Sequence, residues 1–255
     1  MININTALIT GASSGIGYAF AEQLAAKKVN LILIARDLNK LSQIKTDLES
    51  SLQIKVEVLS CDLTQSDAPE IILNFLDSKN IIPDLFINNA GAGVYGKFKD
   101  TELSREIDII KLNVIAATSL CKMIVNKMLE NGRGHILNVS SSLASRPSPD
   151  WAVYAATKAY LFSFTKSISL ELINTNVKIS LLCPGRTKTE FDNRAKRTQN
   201  QNSNKMSADV VAAYSLNQLF KGKKVIIHGT NNKINYFLFK ILPNFILEKI
   251  ITYKK

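Results

Sequence analysis

The sequence predicts an α/β protein with a doubly wound parallel sheet of about seven strands and helices on both faces. Two observations carry that expectation. Short apolar runs rich in β-branched residues recur along the chain, and stretches of helical periodicity separate them by short links. Continuous apolar runs suit strands covered on both faces, and β-α-β alternation is the pattern of a parallel sheet. The 255 residues suffice for one such domain with a well-buried core, and no break in composition divides them.

In chain order, Thr6–Thr10, Asn30–Ala35, Lys55–Ser60, Asp84–Asn88, His135–Ser140, Val177–Cys183 and Lys224–His228 read as strands, each short and apolar. Ile16–Lys27, Leu38–Ser51, Ala68–Ser78, Ser104–Glu130, Val153–Ile173 and Ser207–Phe220 read as the helices. The segment Arg197–Lys205 is polar, of low complexity and expected to be mobile. One domain is expected over residues 1–232, with a lid at about 186–206. An amphipathic basic tail over 233–255 is expected to follow.

Composition narrows the function classes. Hydrophobic content of 46% and charged content of 21% suit a soluble globular protein. Cys61, Cys121 and Cys183 are odd in number, far apart and set in apolar runs, so reduced buried thiols are expected. The two histidines, His135 and His228, have no ligand-like spacing, so no metal is expected. The first ten residues lack a signal-peptide pattern, and no run of about 18 apolar residues occurs. A cytoplasmic protein is the expectation, with peripheral membrane contact as an option the tail leaves open.

Two local patterns point to chemistry. The first strand runs into Thr10-Gly11-Ala12-Ser13-Ser14-Gly15-Ile16-Gly17 and then a helix. Such a turn lets backbone approach a pyrophosphate, which rests on the N–H groups of the helix N-terminus. An acid closing the second strand would favour NAD; here it closes on Ile34-Ala35-Arg36, with Asp37 expected to face away. The Arg36 guanidinium suits the extra phosphate of NADP, so NADPH is preferred to NADH.

The second pattern is Ser141 followed by Tyr154 and Lys158. Tyr154 and Lys158, four apart on a helix, share a face. An ammonium near a phenol is expected to lower its pKa from about 10, making a usable acid or base. Ser141, thirteen residues upstream of Tyr154, is placed to bond the same substrate oxygen. Ser140 and Ser142 flank it, and the spacing selects Ser141. No metal is needed for proton transfer at a carbonyl or alcohol.

Together these motifs resemble the short-chain dehydrogenase/reductase family in its compact form, continuously from Thr6 to about Phe191. They are TGASSGIG at 10–17, Cys61-Asp62-Leu63, Asn88-Asn89-Ala90-Gly91, Asn113, Ser141, Tyr154-x-x-x-Lys158 and Pro184-Gly185. The resemblance implies a Rossmann-like fold and an NADPH-dependent reduction of a carbonyl by hydride transfer. It implies that Tyr154 is the general acid and that Ser141 polarises the substrate oxygen. Lys158 would tune Tyr154 and bind the nicotinamide ribose, and Asn113 would hold a water leading to Lys158. It places Gly11, Ser13, Ser14, Gly15, Ile16, Gly17, Arg36, Asp62, Leu63, Asn89, Ala90, Gly91, Pro184, Gly185 and Thr187 on the dinucleotide. A homo-oligomer is expected. The alternative is an NADPH-binding regulatory or scaffold protein without turnover, against which the full Ser-Tyr-Lys-Asn set argues.

The net charge of +11 is uneven: residues 1–185 carry 18 basic and 17 acidic side chains, residues 186–255 carry 14 and 4. In the lid, Arg186, Lys188, Arg194, Lys196, Arg197 and Lys205 either attract an anionic substrate, such as an acyl thioester, or form a solvated face. In the tail, Ile234, Phe237, Leu238, Ile241 and Leu242 recur at helical spacing, and Phe245, Ile246, Ile250 and Ile251 resume after Pro243. Lys240, Lys249, Lys254 and Lys255 accompany them. Membrane-interface binding, packing on the domain and contact with another subunit all fit this pattern. The tail resembles those of family relatives acting on lipid-like ketones, and that resemblance implies an oily substrate; a hydrophobic ketone or a 3-oxoacyl thioester, and a place in lipid metabolism, are the expectation. No recognition motif accompanies the basic residues, so nucleic acid is not expected as a partner.

Overall fold

The computed structural model describes residues 4–197 and 205–243, with 246, 247 and 249 beyond them. Strands β1 (Thr6–Thr10), β2 (Asn30–Ala35), β3 (Val56–Ser60), β4 (Leu85–Asn88), β5 (Gly134–Val139), β6 (Val177–Cys183) and β9 (Val225–Ile227) form one sheet. They are ordered β3-β2-β1-β4-β5-β6-β9, and every pairing is parallel. The strands also alternate in what they bury. Ala7, Ile9, Leu31 and Leu33 pack under α1 (Gly15–Ala25), α2 (Leu38–Leu52) and α8 (Ala208–Phe220). Leu8, Ile32 and Ile34 pack over α3 (Ala68–Ser78), α5 (Ala117–Glu130) and α6 (Ala152–Glu171). Two apolar layers explain why the strands read as unbroken runs. The Rossmann-like doubly wound expectation holds.

Boundaries shift by a residue or two, with two informative differences. The single helix expected over 104–130 is α4 (Leu103–Ile110), a π-helical turn at Lys111–Ala116 and then α5. Widened turns of this kind interrupt the helical ladder and cluster at functional sites, and Asn113 lies inside this one. The expected boundary at 232/233 falls inside α9 (Thr230–Ile241), so the tail's first turn belongs to the domain. Beyond β6 lie a two-stranded ribbon, β7 (Thr187–Lys188) with β8 (Met206–Ser207), and the short α7 (Phe191–Arg194). Most of the low-complexity segment, 198–204, lies outside the described residues, as do Phe245, Ile250, Ile251, Lys254 and Lys255. All three cysteines are buried and free. Among the described residues no group of side chains could hold a metal, and no helix is long and apolar enough to cross a membrane.

His135 sits deep in β5, 3% exposed. Ser180 Oγ donates to Lys223 O (2.9 Å), so it accepts from His135 Nε2 (3.0 Å), which puts a proton on Nε2. Burial, with Lys178 adding to it, pushes the imidazole down to about 4. The unfolded chain therefore binds one more proton than the folded chain between pH ~6.5 and ~4, and stability falls as pH falls through that window. At pH 5 this group costs on the order of 2 kcal/mol of folding free energy. Urea unfolding at pH 7 and pH 5 checks it: His135→Gln should lose less stability between the two than the unaltered chain, and equal losses would overturn the assignment.

Candidate active site

β1 and β4 are neighbours, yet the helices that follow them lie on opposite faces, so a crevice opens at their carboxyl ends. Gly11 (φ +65°) and Gly15 (φ +60°) take left-handed conformations that a side chain would strain. A Cβ at Gly17 would collide with Gly11 O and the Asn89 side chain, so the turn folds flat onto the helix start. Thr10 Oγ1 accepts from the N–H of Asn89 (3.0 Å) and Ala90 (3.1 Å). Asn89 Nδ2 donates back to Thr10 O (2.9 Å) and Gly11 O (3.3 Å). Asn89 therefore clamps the turn with its amide rather than offering that amide to a ligand. Ser14 stands at the N-cap of α1 without capping it; its hydroxyl accepts instead from Arg194 Nη2 (3.3 Å). The first N–H groups of α1 thus lack a side-chain cap beside half-buried Ser13 and Ile16, and the cradle fits a pyrophosphate.

At the far end of the crevice Arg36 is exposed just beyond β2. Asp37 accepts from Lys40 N (3.0 Å) and caps α2, so its carboxylate is turned to the helix. Asp62 accepts from the N–H and hydroxyl of Thr64 (3.0 and 2.9 Å). The Thr64 N–H bond is the largest influence holding Asp62 low, with the hydroxyl and the Arg36 charge adding and burial opposing. Arg36 and Asp62 therefore share one rim. Leu63 is buried beneath it in the α3 layer.

Ser141, Tyr154, Lys158 and Asn113 meet at the ends of β4, β5 and α6. Ser140 Oγ donates to Lys158 O (2.8 Å), tying α6 to β5. That leaves Ser141, whose hydroxyl accepts from Leu143 N (3.1 Å), near enough to Tyr154 to influence its phenol. Asn113 Oδ1 accepts from Ala92 N (3.0 Å), and its Nδ2 donates to Ala92 O (2.9 Å) and Thr157 Oγ1 (3.0 Å). Gly91 lies between: a Cβ there would stand 3.1 Å from Lys158 Nζ and 3.2 Å from Asn113 Oδ1. Pro184 O accepts from Ser142 N (2.9 Å), Gly185 backs onto Asn232, and Thr187 Oγ1 donates to Gly185 O (3.0 Å).

The electrostatics correct one expectation. Lys158 Nζ donates to Val139 O (3.0 Å) and lies 5.9 Å from the Tyr154 ring centre, not on the phenol. Burial pushes the phenol up to about 12; the Ser141 hydroxyl lowers it and Asp192 raises it. Burial likewise brings Lys158 down to about 8, with Cys183 opposing. Desolvation, which disfavours both charged forms, is the largest influence on each group.

The lid brings what sequence reasoning missed. Phe191 of α7 lies 5.2 Å from the Tyr154 ring and stacks on Trp151 (6.0 Å), which packs on Tyr154 (5.3 Å) and Tyr95 (5.2 Å). Trp151, the only tryptophan, precedes Tyr154 by three residues; that helical spacing was the available signal. Nothing in the sequence announces Phe191. The lid cations are also not free. Asp192 meets Lys205 (3.0 Å), Arg186 (3.5 Å) and Arg197 (3.8 Å), and the Arg197 guanidinium lies 5.4 Å from the Tyr95 ring. Three of the six charges, expected either to draw an anion or to form a solvated face, converge on one carboxylate.

A family model described as short chain dehydrogenase matches residues 5–200. An uncharacterized oxidoreductase from Myxococcus xanthus is 33% identical over 190 residues, 74% of this chain and 75% of that one. An NADP-dependent 3-hydroxy acid dehydrogenase from Schizosaccharomyces pombe is 30% identical over 234 residues, 88% of this chain and 90% of that one. The chain spans 59% and 54% of the length of two matching vertebrate hydroxysteroid-dehydrogenase relatives. Among solved structures, a short-chain dehydrogenase from Sphingobium yanoikuyae in complex with NADPH superposes with a TM-score of 0.83 at 30% identity, covering 88% of this chain and 87% of that one. A glycine cradle at the strand switch point, a Ser-Tyr-Lys-Asn centre and these matches lead to one conclusion: the chain belongs to the short-chain dehydrogenase family.

Proposed function

We propose that this protein is an NADPH-dependent reductase that turns a hydrophobic carbonyl into an alcohol, with Tyr154 as the general acid. The observation that carries the proposal is the burial of Ser141, Tyr154, Lys158 and Asn113 together, with Asn113 bonded to Thr157 and Lys158 to Val139 O. The nicotinamide dinucleotide supplies the hydride. This chain's residues bind, orient and deliver the proton. A phenol kept protonated by burial is a donor, and the carbonyl oxygen receives its proton as charge develops there. Ser141 gives that oxygen a second donor, as an oxyanion site requires. Lys158 and Asn113, which both border the space in front of Gly91, are proposed to hold the ribose and to feed protons back to Tyr154.

Substrate and cofactor choices follow from the surroundings. Tyr95, Trp151 and Phe191 make an apolar, aromatic cover around the phenol. That favours a hydrophobic ketone over a 3-oxoacyl thioester, whose phosphates would want the cations Asp192 occupies. Phe191 lies over the phenol, so substrate entry requires the segment around α7 to move aside. Arg36 on the ribose rim, with Asp37 engaged at its helix cap, supports NADPH. The NADP-dependent yeast relative and the NADPH-bound neighbour support the same preference. Homo-oligomeric assembly belongs to the proposal, with exposed Leu103, Ile107 and Ile115 supplying apolar surface.

Two measurements test it. Tyr154→Phe keeps the ring contacts but removes the proton, so NADPH binding by fluorescence should persist while ketone-dependent NADPH oxidation falls ~10²–10⁴-fold. Substantial turnover in that variant would overturn the assignment, and no turnover by the unaltered chain on any ketone would favour a sensor. Arg36→Ala removes a charge-assisted bond worth roughly 1.5–3 kcal/mol, so KM for NADPH should rise about 10- to 100-fold with NADH little changed. Equal changes for both cofactors would remove Arg36 from phosphate recognition.

A further inference from the structure

Helix α9 meets the domain with one side and, among the described residues, leaves the other exposed. On the inner side Tyr236 lies 5.9 Å from the Phe162 ring, the Arg146 guanidinium 5.2 Å from the Phe239 ring, and Asn232 Nδ2 donates to His228 O (2.8 Å). On the outer side Ile234, Phe237, Leu238 and Ile241 follow the i, i+3, i+4, i+7 rule, and they are 52%, 62%, 43% and 61% exposed. Single exposed apolar side chains are ordinary, but a stripe of four on one helix marks a contact surface.

Charge selects the partner. From Thr230 onward the sequence carries five lysines and one glutamate. Lys233, at the flank of the stripe, is exposed, with its ammonium 5.5 Å from the Tyr214 ring centre. A second copy presenting the same face would bring like charges together, whereas an anionic lipid surface neutralises them. The helix has 12 residues, too few to span a bilayer but enough to lie in its interface. We propose that the outer stripe of α9 docks on an anionic membrane, its four apolar side chains at the headgroup–acyl boundary.

This docking bears on the active site. The inner residues Asn232 and Tyr236 line a small cavity with Ser141, Ser142 and Ser145. The helix that meets lipid is therefore also a wall beside the carbonyl-polarising serine. On the reductase reading, an oily ketone dissolved in the membrane meets the site across a single helix.

The test is flotation of the full chain with vesicles of phosphatidylcholine alone and of phosphatidylcholine containing about 30% phosphatidylglycerol. The unaltered chain should float with the anionic vesicles and be released as salt rises from about 0.05 to 0.5 M. The triple variant I234S/F237S/I241S should lose at least ~10-fold in bound fraction, while its NADPH-dependent reduction of a water-soluble ketone stays unchanged. A chain that ignores anionic vesicles, or a variant that floats as well as the parent, overturns the docking. So does a stripe-dependent dimer in analytical ultracentrifugation without vesicle binding. Failure to reduce any ketone would instead sink the reductase reading and leave the flotation result standing.

Discussion

The reciprocal clamp between Thr10 and Asn89 is the constraint on which the rest of the site depends. Strands β1 and β4 diverge at their carboxyl ends because their helices leave to opposite faces. Left alone, backbone there would splay and leave its polar groups unpaired. Thr10 Oγ1 takes two N–H groups from the far side, and Asn89 returns two bonds to the glycine turn. Glycine at 17 is what allows that amide to reach, because a Cβ would stand in its way. Turn, helix start and the chain leaving β4 thus form one rigid unit, and the phosphate cradle opens from it.

The same logic recurs at Asn113. The amide gives two hydrogen bonds and takes one, joining Ala92, which follows β4, to Thr157 in α6. The π-helical turn at Lys111–Ala116 interrupts the ladder where this side chain must reach inward. Because α6 carries both Tyr154 and Lys158, Asn113 sets their distance from the glycine cradle. Ser140 fixes the other side of α6 through Lys158 O. Two neighbouring serines thereby divide the work: one holds the helix, the next lies near the phenol.

Much of this was legible in the chain, and what was not has a physical reason. Period and composition sufficed for the strands, because the central ones bury apolar side chains on both faces and the edge strands β3 and β9 keep the same apolar runs. The glycine turn was visible because only glycine tolerates its backbone and its crowding. Asn89 was placed on the cofactor side, yet its amide belongs to the turn; a motif names a position, not the partner of an atom. The tuning of Tyr154 was misjudged because sequence spacing reports proximity and not desolvation. Phe191 was invisible because it meets Trp151 and Tyr154 only through the fold's return over the crevice, and the Asp192 cluster because spacing does not say which of several nearby cations a carboxylate takes.

Lys158 shows most plainly that the centre is built against the interests of stability. It is 4% exposed, and among the described residues no carboxylate pairs with it; Val139 O is its hydrogen-bonding partner. A buried ammonium with a lone carbonyl is poorly compensated, and its descent to about 8 is the measure of that. A leucine of similar size would satisfy the layer between α6 and β5 without any such cost. Gly91 adds to the argument, since it keeps the space in front of Nζ free of a side chain. A cation buried without a counter-ion, with room before it, supports the proposed role of Lys158 in holding a ligand.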